Sequence, residues 1–359
     1  MKVFVSGCYD IIHGGHVEFW SQAKALGDYL VVSVASDDVL IRHKGRKSSV
    51  NIEHKKKIIQ SISFVDEVVV SEGTEEGLDF KDHFLRIKPD ILAVTDDDKY
   101  SEKKKKLCES IGAKYVILPK TLGFEQVSTT QIINFIKAPI QVPLRVDFAG
   151  GWLDVPANAV QEGYIANCTI QPVVSLNAWP YKIMGGGLGG SAAYAVLTGK
   201  DAVKSELDLG AGWQDPAVIM ETGFCVWESG DRPKLMVKVN PSFLNGKMAL
   251  LWTGKNHYTP GLKDKPRDYV KIKEAGQIAF DSVRGATVDY LELCNSVDRS
   301  YDVQLDEGMD ELPDIPCKAK KYCGGGWGGY ALYMFYYNRE KALKKYKELI
   351  PIEPYIRTY

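Results

Sequence analysis

The first third of the 359-residue chain alternates short apolar runs with amphipathic stretches of helical length. The apolar runs are rich in Val, Ile and Leu, as expected of parallel strands that are buried on both faces. Strands and helices that alternate at this spacing indicate a doubly wound α/β sheet. We predict strands over Lys2–Ser6, Tyr29–Ser36, Glu67–Val70, Asp90–Thr95 and Tyr115–Leu118, and helices over His16–Ala25, Glu53–Ser61, Lys81–Ile87, Lys99–Ile111 and Thr129–Ile136.

The pattern changes after Ile136. The segment Lys137–Pro143 holds two prolines and has no helical period, so it is the best candidate for a domain boundary. Beyond it the sequence is richer in glycine and aromatic residues, and its alternation is less regular, which indicates an α+β fold. We therefore predict two domains, residues 1–137 and 138–359.

Composition narrows the class of protein. The 45 basic and 46 acidic side chains give a formal charge of −1, so neither nucleic acid nor an anionic membrane is an expected partner. The seven cysteines are scattered and never in CxxC spacing, which favours a reducing compartment over disulfides or a zinc site. The chain opens with a strand-like run, without signal-peptide features, and no apolar run approaches membrane-spanning length. We expect a cytoplasmic protein.

A glycine- and histidine-containing segment, Ser6–His16, follows the first predicted strand and opens the first helix. In a doubly wound sheet this is the ligand crevice, and the free N–H groups of a helix N-terminus suit a phosphate. His13 and His16 are three residues apart, so both side chains can turn toward one anion. Such a site fits in-line attack on the α-phosphate of a nucleoside triphosphate. The alternative is a pair of surface histidines beside a turn.

Two further segments fit the same chemistry. Lys44-Gly45-Arg46 follows the second strand, where a mobile basic loop can fold over phosphates. Ser128 and Thr129 begin the last predicted helix with hydroxyl groups that can cap it or bind a phosphate. Each feature alone is an ordinary turn or cap, and the three occurring in order favour a nucleotide site.

These segments, with "EHKKKIIQSISFVDEVV", resemble the cytidylyltransferase family, including glycerol-3-phosphate cytidylyltransferase and heptose-phosphate nucleotidylyltransferases, over Met1 to Ile136. The resemblance implies a Rossmann-like nucleotidyltransferase that uses CTP or another NTP. It implies that His13 and His16 stabilise the transition state and that Lys44 contacts phosphates. Lys55 stands where relatives carry Arg and keeps the charge. The implied nucleotide-binding residues are Gly7, Tyr9, Asp10, Lys55, Ser128 and Thr129.

Four segments carry candidate chemistry in the second half: Pro143–Asp154, Gly185–Ala193, Gly212–Pro216 and Cys323–Tyr330. The second can bind a phosphate, because its glycines leave backbone N–H groups exposed before the N-terminus of a helix of small residues. Ser191 could reach a phosphate or its Mg²⁺. A flexible turn is the competing interpretation of that loop, and Asp215 alone could be a helix cap.

Together and in order, the four segments resemble the sugar-kinase branch of the galactokinase, homoserine kinase, mevalonate kinase and phosphomevalonate kinase superfamily, from about Ala138 to the end. "PLRVDFAGGWLDVP" and "GAGWQDP" are most similar to fucokinases and heptose kinases. The resemblance implies that Asp215 is the general base on a sugar hydroxyl and that Ser191 lies near Mg²⁺. It assigns ATP to Gly187, Gly189, Gly190 and Ser191, and the sugar to Arg145, Asp154, Gly325 and Gly326.

The two resemblances predict a bifunctional enzyme that phosphorylates a sugar with ATP at its anomeric carbon and then converts the product to an NDP-sugar. Two alternatives stay open. One is a monofunctional cytidylyltransferase acting on a polyol or sugar phosphate, whose second domain is non-catalytic. The other is a non-enzymatic pair of nucleotide-sensing modules. We expect Mg²⁺ as cofactor, small-molecule sugars and nucleotides as partners, and a homodimer.

Overall fold

The computed structural model describes residues 1–119, 127–256, 262 and 265–358. The chain divides into two compact units, Met1–Ile133 and Asn134–Tyr359. This division lies four residues before the boundary expected from the sequence at residue 137.

Within the described part of the first unit, a parallel sheet has the strand order β3-β2-β1-β4-β5. The order reverses between β1 and β4, so the carboxyl ends of these two strands open a crevice at the switch point. Each predicted strand matches an observed one to within one residue at either end. The strands are β1 (Lys2–Gly7), β2 (Tyr29–Ala35), β3 (Glu67–Ser71), β4 (Ile91–Thr95) and β5 (Lys114–Leu118).

Both faces of this sheet are covered, which explains why the strands are apolar without alternation. On β1, Val3 and Val5 pack on one face with Trp20 and Ile59, whereas Phe4 packs on the other with Phe84 and its neighbours. The α/β prediction for this unit is confirmed. The helices are α1 (Gly14–Lys24), α2 (Asp37–Lys44), α3 (Ile52–Gln60), α4 (Lys81–Ile87), α5 (Ser101–Glu109) and α6 (Thr129–Lys137), which begins in this unit and continues past Ile133.

Helix α2 is an element that the sequence pattern did not predict. Ser36 caps its N-terminus by accepting a hydrogen bond from the Val39 N–H, and Asp37 and Asp38 occupy the first turn. Arg42, His43 and Lys44 fill the last turn, and Gly45 ends the helix in the left-handed conformation with φ 62°. Lys44 is thus the last residue of a helix. The expectation that it begins a mobile loop directly after β2 is wrong.

The second unit is built on an antiparallel sheet in the order β11-β12-β10-β13-β7-β8-β9, with β6 paired to β7. This mixture of antiparallel sheet and helices confirms the α+β prediction. The strands are β6 (Val142–Ala149), β7 (Tyr164–Val174), β8 (Phe224–Glu228), β9 (Lys234–Val239), β10 (Met248–Trp252), β11 (Ala319–Tyr322), β12 (Tyr330–Met334) and β13 (Leu349–Pro354). The helices are α7 (Gly190–Leu197), α8 (Ala202–Asp208), α9 (Gln214–Glu221), α10 (Tyr269–Val283), α11 (Tyr290–Asp306) and α12 (Arg339–Lys345).

Strand β6 alternates apolar residues that pack in the core with charged residues on its other face. Its alternate residues Val142, Leu144, Val146 and Phe148 belong to the main apolar core. Since successive side chains on a strand point to opposite faces, its charged residues project away from that core. A search of the described residues finds no helix of sufficient length and hydropathy to span a membrane.

Candidate functional sites

The first cleft begins where β1 ends. Tyr9 adopts a positive φ of 41° in the turn after the strand, and its ring covers Gly7 so closely that a Cβ there would lie 2.7 Å from it. The chain then reaches His13 in extended conformation, which is the N-cap residue of α1. The His13 side chain makes no capping hydrogen bond, so its imidazole is available to a ligand at the helix N-terminus.

His13 and His16 stack on each other with their ring centroids 3.8 Å apart. The edge of Tyr9 and the face of Trp20 pack against His16 at centroid distances of 5.1 and 6.0 Å. Burial lowers the pKa of His13, and burial together with the neighbouring His13 lowers the pKa of His16 to about 3. His16 is therefore a neutral ring at pH 7, which can donate a hydrogen bond and carries no positive charge.

The cleft has a volume of about 460 Å³, which is within the usual range for small-molecule sites. It brings together the start of α1, the end of β4 and the start of α6. Ser128 and Gln131 cap α6 reciprocally, and Thr129 ties it to the turn by donating to the Ile11 carbonyl at 3.3 Å. The lining residues are His13, Gly15, His16, Glu18, Phe19, Gln22, Thr95, Asp97, Pro119, Val127, Ser128, Thr129 and Gln131.

Asp10 fixes the segment that follows α2. Its carboxylate accepts hydrogen bonds from the Arg46 guanidinium at 2.5 Å, the Ser48 hydroxyl at 3.0 Å, and the Ser49 N–H and hydroxyl at 2.6 and 3.0 Å. Burial raises the pKa of Asp10, but these donors outweigh burial and lower it to about 2. In this structure Asp10 holds a protein segment, and the lining of the cleft does not include it.

The family resemblance implies that Lys55 binds the nucleotide, but in the structure its side chain lies outside the lining of the cleft. Its side chain is fully buried, with Nζ 2.8 Å from the Ser48 hydroxyl and 3.2 Å from an Asp37 carboxylate oxygen. It stabilises the same segment that Asp10 holds. Among the described residues, the lining of the cleft includes His13, His16, Ser128 and Thr129 but not Gly7, Tyr9, Asp10, Lys44 or Lys55.

The second cleft, in the other unit, has a volume of about 440 Å³ and is built around two glycine clusters. The clusters pack backbone against backbone: a Cβ on Gly187, which has φ 79°, would lie 2.3 Å from the Cys323 carbonyl oxygen. Gly187 is therefore required for the close approach of the two backbones, and is not explained by ligand binding alone. The lining residues are Arg145, Gly151, Trp152, Asp154, Val155, Met184–Gly187, Gly189–Ser191, Tyr194, Glu206, Leu209, Ala211, Gly212, Gln214, Asp215, Gly324 and Gly325.

Arg145 and Asp215 form the central ion pair of this cleft. Arg145 lies on β6 and Asp215 in the first turn of α9, and the Arg145 Nε lies 2.6 Å from Asp215 Oδ1. Arg145 is nearly fully buried, whereas the side chain of Asp215 is 16% exposed. The guanidinium orients a carboxylate that can still meet a ligand.

Two more carboxylates line the cleft. Burial, reinforced by the charge of Asp215, raises the pKa of Asp154 to about 6, although Gln214 donates to it through its N–H at 3.2 Å and its amide at 3.0 Å. Burial and the Asp215 charge likewise raise the pKa of Glu206 to about 7. One oxygen of Glu206 has no hydrogen-bond partner among the described residues.

Comparison with known proteins assigns the first unit. Residues 4–135 match the model of the family described as cytidylyltransferase-like. The FAD synthase of Pyrococcus horikoshii is 36% identical over 139 residues, which cover 38% of this chain and 92% of that protein. The chain belongs to the cytidylyltransferase-like family. Its first unit is a nucleotidyltransferase, as predicted.

Two further similarities cover different parts of the chain. The glycerol-3-phosphate cytidylyltransferase of Bacillus subtilis is 35% identical over 133 residues, covering 36% of this chain and 93% of that protein. The crystal structure of Methanococcus jannaschii mevalonate kinase covers 60% of this chain and 96% of its own, at 13% identity and a TM-score of 0.45.

The second cleft includes Arg145, Asp154, Gly187, Gly189, Gly190, Ser191, Asp215 and Gly325 of the predicted set. Gly326 lies outside its lining, against Met309. Sequence reasoning missed Glu206. The available signal was weak: Glu206 shares a face of α8 with the apolar Ala202 and Val203, four and three residues earlier.

The pKa of His16 predicts a pH effect on stability. Unfolding returns this pKa toward about 6.5. Between pH 6.5 and 3, His16 is therefore protonated in the unfolded chain and neutral in the folded chain. Stability from neutral His16 is complete above pH 6.5 and is lost as the pH falls through this window. His16→Gln should reduce the loss of unfolding free energy between pH 7 and pH 5 by roughly 1–2 kcal/mol, measured by denaturant titration. Equal losses in both proteins would contradict this.

Asp10→Asn should destabilise the first unit by about 1–3 kcal/mol at pH 7, because it weakens a buried carboxylate's hydrogen bonds to Arg46, Ser48 and Ser49. The folded pKa is depressed, so this stabilisation is present above pH 4 and is lost as the pH falls through about 2. Denaturant titration at pH 7 and pH 3 measures both effects. The exposed Asp96→Asn is the matched control and should change little.

Proposed function

We propose that the chain makes an NDP-sugar in two steps. Its second unit phosphorylates a heptose- or fucose-like sugar at the anomeric carbon with ATP, and its first unit transfers a nucleotidyl group, with CTP favoured, to that phosphate. The observation that carries the proposal is the presence of a separate cleft in each unit. One combines two stacked histidines with a helix N-terminus, and the other an oriented carboxylate with a glycine-rich helix start.

In the nucleotidyl transfer, an oxygen of the sugar phosphate attacks the α-phosphorus of the NTP in line, and the bond to pyrophosphate breaks. Charge develops on the phosphate oxygens, so catalysis needs donors and positioning rather than a protein nucleophile. His13 and His16 supply neutral donors, and the start of α1 supplies N–H groups and the positive end of its dipole. Ser128 and Thr129 lie across the same cleft, where the triphosphate would be held.

In the phosphorylation, Asp215 accepts the proton of the anomeric hydroxyl as its oxygen attacks the γ-phosphorus of ATP, and ADP leaves. Arg145 keeps the Asp215 carboxylate oriented at 2.6 Å. The start of α7, with Gly189, Gly190 and Ser191, offers N–H groups to the phosphates. Arg145, however, is committed to Asp147 and Asp215, so its part is to orient the base rather than to bind sugar. Asp154 lines the same cleft and keeps its proposed place near the sugar, held there by two hydrogen bonds from Gln214.

Mg²⁺ fits this second cleft. Glu206 is 4% exposed, has one carboxylate oxygen without a hydrogen-bond partner among the described residues, and lines the cleft with Ser191. A hydroxyl and a carboxylate are oxygen ligands of the kind Mg²⁺ takes, with phosphates and water completing its shell. Ser191 and Glu206 would hold the ion, which would neutralise charge on the transferring phosphate. No group of three or more His, Cys, Asp or Glu side chains suited to a metal occurs in the described chain.

The competing function is a monofunctional cytidylyltransferase with a non-catalytic second unit. It is favoured by one observation, since the matched family model covers residues 4–135 alone. Incubation with Mg²⁺, ATP, CTP, GTP and a panel of free sugars, followed by mass spectrometry, separates the two. The proposal predicts a nucleotidylated sugar from a free sugar, whereas the alternative predicts product from supplied polyol or sugar phosphates alone.

Single substitutions should separate the two activities. Asp215→Asn should lower sugar phosphorylation by roughly 10²–10⁴-fold, because the general base is lost, and leave nucleotidyl transfer to a supplied sugar 1-phosphate unchanged. His16→Gln should have the opposite pattern. Asp208→Asn, an exposed acid on α8, is the control and should retain both activities. Loss of both activities in folded Asp215→Asn protein would contradict the assignment.

A further inference from the structure

Four charged side chains form an unbroken chain through the second unit. Lys321 pairs with Asp147 Oδ2, Asp147 Oδ1 lies 3.1 Å from Arg145 Nη1, and Arg145 Nε lies 2.6 Å from Asp215 Oδ1. The side chains of Lys321, Asp147 and Arg145 are 3%, 1% and 4% exposed. Only Asp215, at the cleft end, is in appreciable contact with solvent.

Backbone groups fix the inner members of this chain. The Lys321 ammonium also donates to the Asp147 carbonyl at 3.2 Å, and the Gly324 N–H donates to Asp147 Oδ1 at 2.7 Å. Arg145 donates to the Gly187 carbonyl at 2.5 Å. Side chains of strands β6 and β11 and backbone groups of both glycine clusters therefore hold Arg145 in one orientation, which sets the direction of its bond to Asp215.

The charges alternate in sign, positive on Lys321 and Arg145 and negative on Asp147 and Asp215, and they sum to zero. Without Lys321, Asp147 would be a buried carboxylate with Arg145 as its main counter-charge. It would then compete with Asp215 for the guanidinium, because an uncompensated buried charge is costly. Without Asp147, Lys321 would be a buried ammonium close to a second cation. Either loss disturbs the Arg145–Asp215 pair although neither residue reaches the acceptor.

We propose that Lys321 and Asp147 are positioning residues of the phosphoryl transfer: their ion pair commits Arg145 to Asp215 and so fixes the general base in the cleft. The proposal rests on the proposed kinase function. Asp215 remains the catalytic residue, and Lys321 and Asp147 act on it through Arg145. The sequence had singled out the glycines after Lys321 and the segment containing Asp147 but assigned a role to neither residue.

Two single substitutions and their charge-balanced combination test this. Lys321→Met and Asp147→Asn should each lower kcat for sugar phosphorylation by roughly 10- to 100-fold, the cost of misplacing a reacting group, with KM for ATP within about threefold of the native value. Lys321→Met combined with Asp147→Asn restores the charge sum and should recover roughly tenfold over either single variant. Lys321→Arg should retain most of kcat. Lys320→Met, which removes a neighbouring lysine that bonds backbone carbonyls, is the matched control.

The thermal melting curve reports on the folding of the second unit in every variant, and nucleotidyl transfer checks that the first unit is intact. Should one single variant fail to fold, the other makes the same comparison with the double variant. An unchanged kcat in either folded single variant, or a double variant no better than the singles, overturns the positioning role. Absence of sugar phosphorylation by the native protein on every acceptor instead overturns the proposed kinase function, and with it this inference.

Discussion

A charged side chain that is buried must either pair with an opposite charge or become neutral through a shift of its pKa. Both clefts of this protein are organised by that constraint. His16 is neutral, since burial against Tyr9 and Trp20 lowers its pKa to about 3. Arg145 keeps its charge because carboxylates lie on both sides of it. The first cleft therefore contains a neutral histidine at a helix N-terminus, and the second contains a carboxylate oriented by an arginine.

The same constraint explains why several charged residues do not line a cleft. Asp10 and Lys55 each hold the segment after α2, and their partners leave them committed to the protein. In the second unit, Lys321 pairs with Asp147, which in turn pairs with Arg145 and accepts a hydrogen bond from the Gly324 N–H. Charge alone therefore does not distinguish residues that line a cleft from residues that stabilise the protein around it.

Periodicity was sufficient to predict the parallel strands, because strands covered on both faces are apolar throughout and short. It missed α2, since "DDVLIRHK" carries its helical signal in caps and terminal charges, which span a single turn at each end. His13, His16, Ser128 and Thr129 were predictable because strand order brings the ends of β1 and β4 together. Lys55, Glu206 and Lys321 were not, because their burial depends on tertiary packing and, for the two lysines, on carboxylates 18 and 174 residues away.

The central claim is that a phosphate added in one unit becomes part of the product made in the other. Incubation of the native protein with [γ-³²P]ATP, unlabelled CTP, Mg²⁺ and an accepted free sugar tests it most directly. The account predicts that the label is incorporated into the nucleotide sugar, at the phosphate bonded to the sugar. A nucleotide sugar formed without the label, or label recovered only as ATP and inorganic phosphate, would contradict it.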